Sequence, residues 1–245
     1  RSTLFPYTTL FRSALAESFL LEHQLGGQVQ LQGNQATFSL IGKAAHGSTP
    51  SKGVNAATFL AKYLHRFEFD RAGAESFLHL LADHLHQDFE GVNLGVAHRD
   101  PVMQELTMNV GLVNYQDDKG GSIVANFRYP KGTDPEKMAA QTAQRLAGHE
   151  LSVEWGEFKE PHYVSVDDPM VKELLAVYEE QTGLEGHEMT IGGGTYGRLM
   201  PRGVAYGALF PDSIDTMHQA NEFIAIDDLL KATAIYAEAI YRITR

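Results

Sequence analysis

The stretch TMNVGLVNYQDDKGGSIVANFRYPKGTDPEKMAAQTAQRLAGHE, residues 107–150, decides the fold class, because it sets two β-rich runs and a helix in direct succession. TMNVGLVNYQ and GSIVANFRYP alternate apolar and polar residues and are joined by Asp117-Asp118-Lys119-Gly120, which predicts a hairpin. TDPEKMAAQTAQRLAGHE then reads as a punctuated helix, with Asp134 as N-cap, Pro135 at the first helical position and Gly148 past the end. LSVEWGEF, residues 151–158, closes the stretch as a further strand.

Upstream, VQLQGNQATFSLIGKA alternates and turns at Gly33-Asn34, a second hairpin, so the body is expected to open on strands. GVNAATFLAKYLHRF places Ala57, Leu60, Ala61 and Leu64 at helical spacing, and AESFLHLLADHLHQDF does the same with Phe77, Leu80, Leu81 and Leu85. The order strand, helix, strand, strand, helix, strand is that of a split βαβ (ferredoxin-like) α+β domain over residues 14–160, with an extra helical insertion at 74–88. Residues 1–13 lack periodicity, and Thr3 to Ser13 reads as the in-frame translation of a short-read sequencing adapter, so they are set aside as non-native.

Downstream, residues 161–245 change character. DDPMVKELLAVYEEQTG is a helix capped by Asp168 before Pro169 and closed by Gly183; GVAYGALF, residues 203–210, reads as a short buried strand; DDLLKATAIYAEAIYRI is an amphipathic terminal helix. Strands alternating with helices imply an α/β layer, and its short length implies only part of one.

Composition narrows the function classes. The formal charge of −11 and the lack of any lysine or arginine cluster exclude a nucleic-acid footprint. With no cysteine, any metal must be held by His, Asp or Glu. No apolar run approaches the roughly 20 residues of a membrane span, so a soluble, cytoplasmic protein with no membrane partner is expected.

Four constellations could carry chemistry. His218, in PDSIDTMHQANEF, follows the strand expected at 203–210 and reads either as a zinc ligand oriented by Asp215 or Glu222 or as a surface histidine. IGGGTYGR, residues 191–198, reads as a close backbone approach to a ligand or as a turn, and is not a P-loop because no Gly-Lys-Ser/Thr follows. His46, in GKAAHGSTPSKGVNAA, sits between strand and helix, where it can donate to a developing oxyanion or simply belong to a capping loop. Arg128, in NFRYP, can grip a carboxylate in two-pronged fashion or lie on a solvated face. His79, Asp83 and His86 fall at i, i+4 and i+7; with nothing near in sequence to complete a metal site, they read as a solvated helix face. His162, in EPHYV, reads as a packing residue where the two parts join.

In their order along the chain, GKAAHGSTPSKGVNAA, NFRYP, IGGGTYGR and FPDSIDTMHQANEF together resemble the zinc aminopeptidase/deacylase family that includes ArgE, DapE and carnosinase, and are most similar to its PepV-type dipeptidases. The resemblance covers residues 14–245. It implies a two-zinc α/β catalytic domain with an inserted lid, residues 14–160 being most of the lid and 161–245 the C-terminal half of the catalytic domain. It makes His218 a zinc ligand, His46 the lid histidine that steadies the tetrahedral oxyanion, and Arg128 the grip on the free carboxylate of a dipeptide. Gly193, Gly194 and Thr195 would line the substrate pocket.

The implied chemistry is hydrolysis by a water activated on two zinc ions, with a glutamate as base. Deacylases of the family more often carry Asp where Tyr196 stands, so the tyrosine favours the dipeptidase branch. The long segment between Tyr63 and Met108 resembles the enlarged lid of the monomeric enzymes. Gly197 stands where the resemblance leads one to expect Ala. The family's other zinc ligands and its catalytic Glu precede the lid and have no counterpart here, so the chain is expected to be an inactive fragment. An N-acyl amino acid deacylase of the same family, or a non-catalytic binding or assembly module, remain the alternatives.

Overall fold

The structure is a computed structural model and describes residues 6–33, 35–69, 72–116, 118–207, 209–217 and 221–245. The chain divides into two compact units, Arg1–Pro161 and His162–Arg245. It is a mixed α/β protein whose strands, among the described residues, form three small two-stranded antiparallel sheets.

The first unit opens on a helix, not on strands. Helix α1 spans Pro6–Glu22 and runs through Ser13, where the sequence reading started the fold. Ala16, Phe19 and Leu20 face inward at helical spacing; Ala16 and Phe19 join Phe59 and Tyr63 in a buried cluster. Extending a helix back from such an anchored segment adds one hydrogen bond per residue with no new nucleus. The hairpin β1 (Gly26–Gln32) and β2 (Gln35–Ile41) follows as expected, in register from Gly26 opposite Ile41 to Gln32 opposite Gln35. Gly33 takes φ +59, the left-handed conformation such a tight turn asks of its first residue; Asn34 lies outside the described residues.

Helix α2 (Ala56–Leu64) is capped by Asn55, whose side chain accepts from the N–H groups of Ala57 and Thr58. Its buried face is Thr58, Phe59, Ala61 and Tyr63, turned away from the predicted Ala57/Leu60/Leu64 stripe because Phe59 and Tyr63 pack on α1. Helix α3 (Ala72–His79) continues into a wide π-helical turn, Leu80–Leu85. Leu81 and Leu85 reach the largest core together with Leu94, Val96, Leu106, Met108, Val110 and Met138.

The hairpin that decided the reading is present. β5 (Thr107–Gln116) pairs with β6 (Gly120–Arg128) after a minute ribbon, β3 (Arg99–Asp100) with β4 (Gln104–Glu105), that the sequence did not announce. α4 (Pro135–Arg145) starts where the caps put it, with Asp134 accepting from Glu136 and Lys137.

Two expected strands are not strands. Residues 151–158 are extended but make no ladder; they lie along the end of β6 by ring contacts instead, Trp155 against Phe127 at 5.7 Å and Phe158 stacked on Tyr129 at 4.4 Å. The two hairpins therefore remain separate sheets and are not joined into the four-stranded sheet of a split βαβ unit. In the second unit, α5 (Pro169–Thr182) and α6 (Ile226–Ile243) pack around Val177, Phe210 and Ile235. The described residues of 203–210 supply Val204, Tyr206 and Phe210 to that cluster, yet form no ladder, because the described residues of this unit offer no strand to pair with. A backbone without a neighbour cannot become a sheet, however β-prone its side chains.

Candidate active site

The His46 loop is built by a clamp. Lys43 and Val54 exchange both backbone hydrogen bonds, 3.0 and 2.9 Å, closing the loop between them. Gly53 permits that closure, since a Cβ there would stand 2.7 Å from the Lys43 carbonyl oxygen. Beyond the clamp, Asn55 both caps α2 and donates its Nδ2 to the Val110 carbonyl of β5 at 2.8 Å, so the loop is tied to the hairpin.

Within the loop, the Ser48 N–H donates to His46 Nδ1 at 3.3 Å and the Ser48 hydroxyl lies 2.7 Å from the same atom. An Nδ1 that accepts puts the ring proton on Nε2. That tautomer presents an N–H donor, the form an oxyanion needs.

The next residue brings the loop to Arg128. A Cβ placed on Gly47 would sit 3.5 Å from Arg128 Nη2 and 3.7 Å from Asn109 Nδ2. Arg128 ends β6 directly opposite Thr107 of β5, and Asn109 is two residues along the same face. Arg128 Nε and Thr107 Oγ1 are both buried without a hydrogen-bond partner. Buried polar atoms are nearly always paired, and leaving one unpaired costs on the order of 1–3 kcal/mol. Two such atoms on one cross-strand pair, beside a guanidinium and an amide, make a cradle that a carboxylate would complete. The sequence pointed to His46 and Arg128 but missed Thr107 and Asn109, whose only signal was the period-2 alternation of β5.

The glycine segment belongs to the second unit. Gly193 is exposed with nothing packed on it, and a Cβ on Gly194 would approach Arg198 Nη1 to 2.7 Å. Thr195 precedes a 3-10 turn at Tyr196–Leu199. Gly197 must be glycine, because a Cβ would come within 2.9 Å of the Val204 carbonyl carbon; this accounts for the departure from alanine. His162 donates to or is held by the Gly203 carbonyl oxygen at 2.6 Å, inside the same unit.

His218 lies outside the described residues. Its loop is closed by Thr216, whose hydroxyl donates to the Phe223 carbonyl at 3.0 Å and accepts from the Phe223 N–H at 3.1 Å. Asp215 accepts from the Met217 N–H at 3.0 Å. Among the described residues, the one group of three His, Asp or Glu side chains with converging ligand atoms is His65, His79 and Asp83 of the first unit. The described residues of the second unit thus do not by themselves build a two-zinc centre.

The helix face expected from His79, Asp83 and His86 does not exist as such. The π-helical turn carries His86 away to Phe59, 4.6 Å between centroids, and to the Thr58 hydroxyl at 3.2 Å from its Nδ1. Burial first, and then the charges of Lys62 and His23, push its pKa down to about 4.

No helix among the described residues is long and apolar enough to cross a membrane. Comparison with known proteins adds the family. The chain is 47% identical over 230 residues to the Beta-Ala-Xaa dipeptidase of Lactobacillus delbrueckii subsp. lactis, covering 94% of this chain and 48% of that protein. It is 39% identical over 221 residues to "Putative dipeptidase YtjP" of Bacillus subtilis (strain 168), covering 89% and 46% respectively. It is 37% identical over 225 residues to "Putative dipeptidase SH1171" of Staphylococcus haemolyticus (strain JCSC1435), covering 92% and 48%. The chain spans about half the length of the curated relatives it matches. Residues 31–242 match Peptidase family M20/M25/M40, and the chain belongs to that family.

Proposed function

We propose that the chain is part of a PepV-type, zinc-dependent dipeptidase that acts on dipeptides with a free C-terminal carboxylate. Residues 14–160 serve as its lid, and 161–245 as the C-terminal part of its catalytic domain. The 47% identical relative is a Beta-Ala-Xaa dipeptidase, which makes β-alanyl dipeptides the first substrates to try. In this reading Arg128 grips the carboxylate, His46 offers Nε2–H to the oxyanion, Gly193, Gly194 and Thr195 line the pocket, and His218 is a metal ligand. The whole enzyme is monomeric and cytoplasmic and uses two zinc ions, whose chemistry when bound is to acidify a water and polarise the scissile carbonyl.

One observation supports this reading above the others: the buried, unpartnered Arg128 Nε faces the buried, unpartnered Thr107 Oγ1, with the His46–Gly47 loop against the same guanidinium. A carboxylate satisfies such donors and explains why they are retained. Tyr196 points to dipeptides over acyl amino acids.

The test is a titration of the chain, followed by amide NMR, with a β-alanyl dipeptide and with its C-terminal amide. Binding of the free acid alone, lost in Arg128→Met, is the expected result. Equal shifts with acid and amide, or binding unchanged in the variant, would remove Arg128 from the role and favour a plain binding module.

A further inference from the structure

We propose that His65, His79 and Asp83 form a binding site for a divalent transition-metal ion of the zinc type, on the helical insertion of the first unit. The site is independent of the roles given to His46, Arg128 and His218.

The three residues come from two elements. His65 follows the last turn of α2, His79 ends α3, and Asp83 lies one turn on, in the π-helical segment. Their ligand atoms form a tight triangle. His65 Nε2 is 3.1 Å from His79 Nδ1, His79 Nδ1 is 3.0 Å from Asp83 Oδ2, and His65 Nε2 is 3.5 Å from Asp83 Oδ2. Bonds of 2.0–2.1 Å to a tetrahedral centre hold its ligand atoms about 3.3 Å apart. The triangle therefore has the size of one face of a zinc coordination sphere.

Protons alone do not satisfy this triangle. If His79 Nδ1 carries hydrogen and donates to Asp83, it has no lone pair for His65. If it accepts from His65, its lone pair faces the Asp83 carboxylate at 3.0 Å. A cation on the three lone pairs resolves all three contacts at once. Two imidazoles and one carboxylate favour zinc, copper or nickel over magnesium or calcium, which take oxygen ligands. Half-exposed His79 and Asp83 leave room for water at the fourth position. Since the ligands bridge α2 to the α3 segment, the ion staples the insertion together.

The experiment is calorimetric titration of the untagged, chelator-stripped chain with zinc chloride, with melting followed by circular dichroism. His79→Ala, Asp83→Asn and His218→Ala are run alongside. The chain is expected to bind zinc and to melt higher when loaded. His218→Ala should keep this binding event, whereas His79→Ala should weaken it by at least about tenfold, the scale of losing even an outer-shell partner. If His79→Ala is unfolded without metal, Asp83→Asn decides by the same criterion. No zinc binding by the chain, or equal affinity in the variants at His79 and Asp83, overturns the site. Binding lost only in His218→Ala would also overturn it while leaving the dipeptidase reading intact.

Discussion

The rings of His86 and Phe59 meet edge to face, 4.6 Å apart and 82° inclined, at the point where the π-helical turn delivers His86 to α2. His86 is held neutral there, its pKa pushed down to about 4 from an ordinary 6.5, chiefly by burial. Between those values the unfolded chain binds a proton that the folded chain refuses, so stability rises with pH across that window. Its contribution is full above pH 6.5 and is lost as pH falls toward 4. Urea midpoints from pH 4 to 7 should therefore climb, and the climb should be shallower in His86→Gln. An identical slope in the variant would assign the pH dependence to other groups.

Asn55 joins two elements through one side chain, capping α2 with its oxygen and holding Val110 with its nitrogen. Asn55→Ala loses a cap worth about 1 kcal/mol and leaves the Val110 carbonyl unpaired, for a total of about 2 kcal/mol. Asn55→Asp keeps the cap and loses the donor, and should fall between the two in chemical denaturation.

Thr142 lies on the buried face of α4, 4% exposed, with a hydroxyl that finds no partner. Thr142→Val replaces the hydroxyl by a methyl of the same shape and should stabilise the protein by about 1 kcal/mol. A loss in melting temperature would mean the hydroxyl is satisfied in solution.

Dipeptide turnover by this chain alone is expected to be absent, because the described residues of the second unit bring no ligand set together. A spectrophotometric assay with added zinc checks this, and chelator-sensitive hydrolysis by the purified chain would overturn it.

Helix α6 carries apolar residues on two sides. Ala232, Ile235 and Ala239 are buried, while Ile226, Leu230 and Ile240 are 75%, 63% and 59% exposed. Exposed apolar stripes of this kind drive association. Light scattering should show mass rising with concentration, and Leu230→Glu should reduce the rise.

Much of the helical structure was legible because its punctuation is local: Asp134-Pro135 and Asp168-Pro169 start α4 and α5, and Gly183, at φ +70, ends the latter. The hairpins were legible from alternation and turn residues for the same reason. The missing ladders at 151–158 and 203–210 were not, since β-propensity does not say whether a neighbouring strand is at hand. Nor was the carboxylate cradle, because Thr107 and Asn109 look like ordinary strand residues until Arg128 is set opposite. His65 is far from His79 in sequence, so spacing alone nominated His86 in its place.

The π-helical turn at Leu80–Leu85 holds one residue more than an α-helix needs for the same rise. Removing a single residue there would return the segment to ordinary helical phase and swing everything after it by roughly 100°. His86 would leave Phe59 and Thr58, and Leu85 would leave the core. The insertion is therefore intolerant of a one-residue deletion that its surface position would otherwise absorb, and its length is as much a part of the design as its side chains.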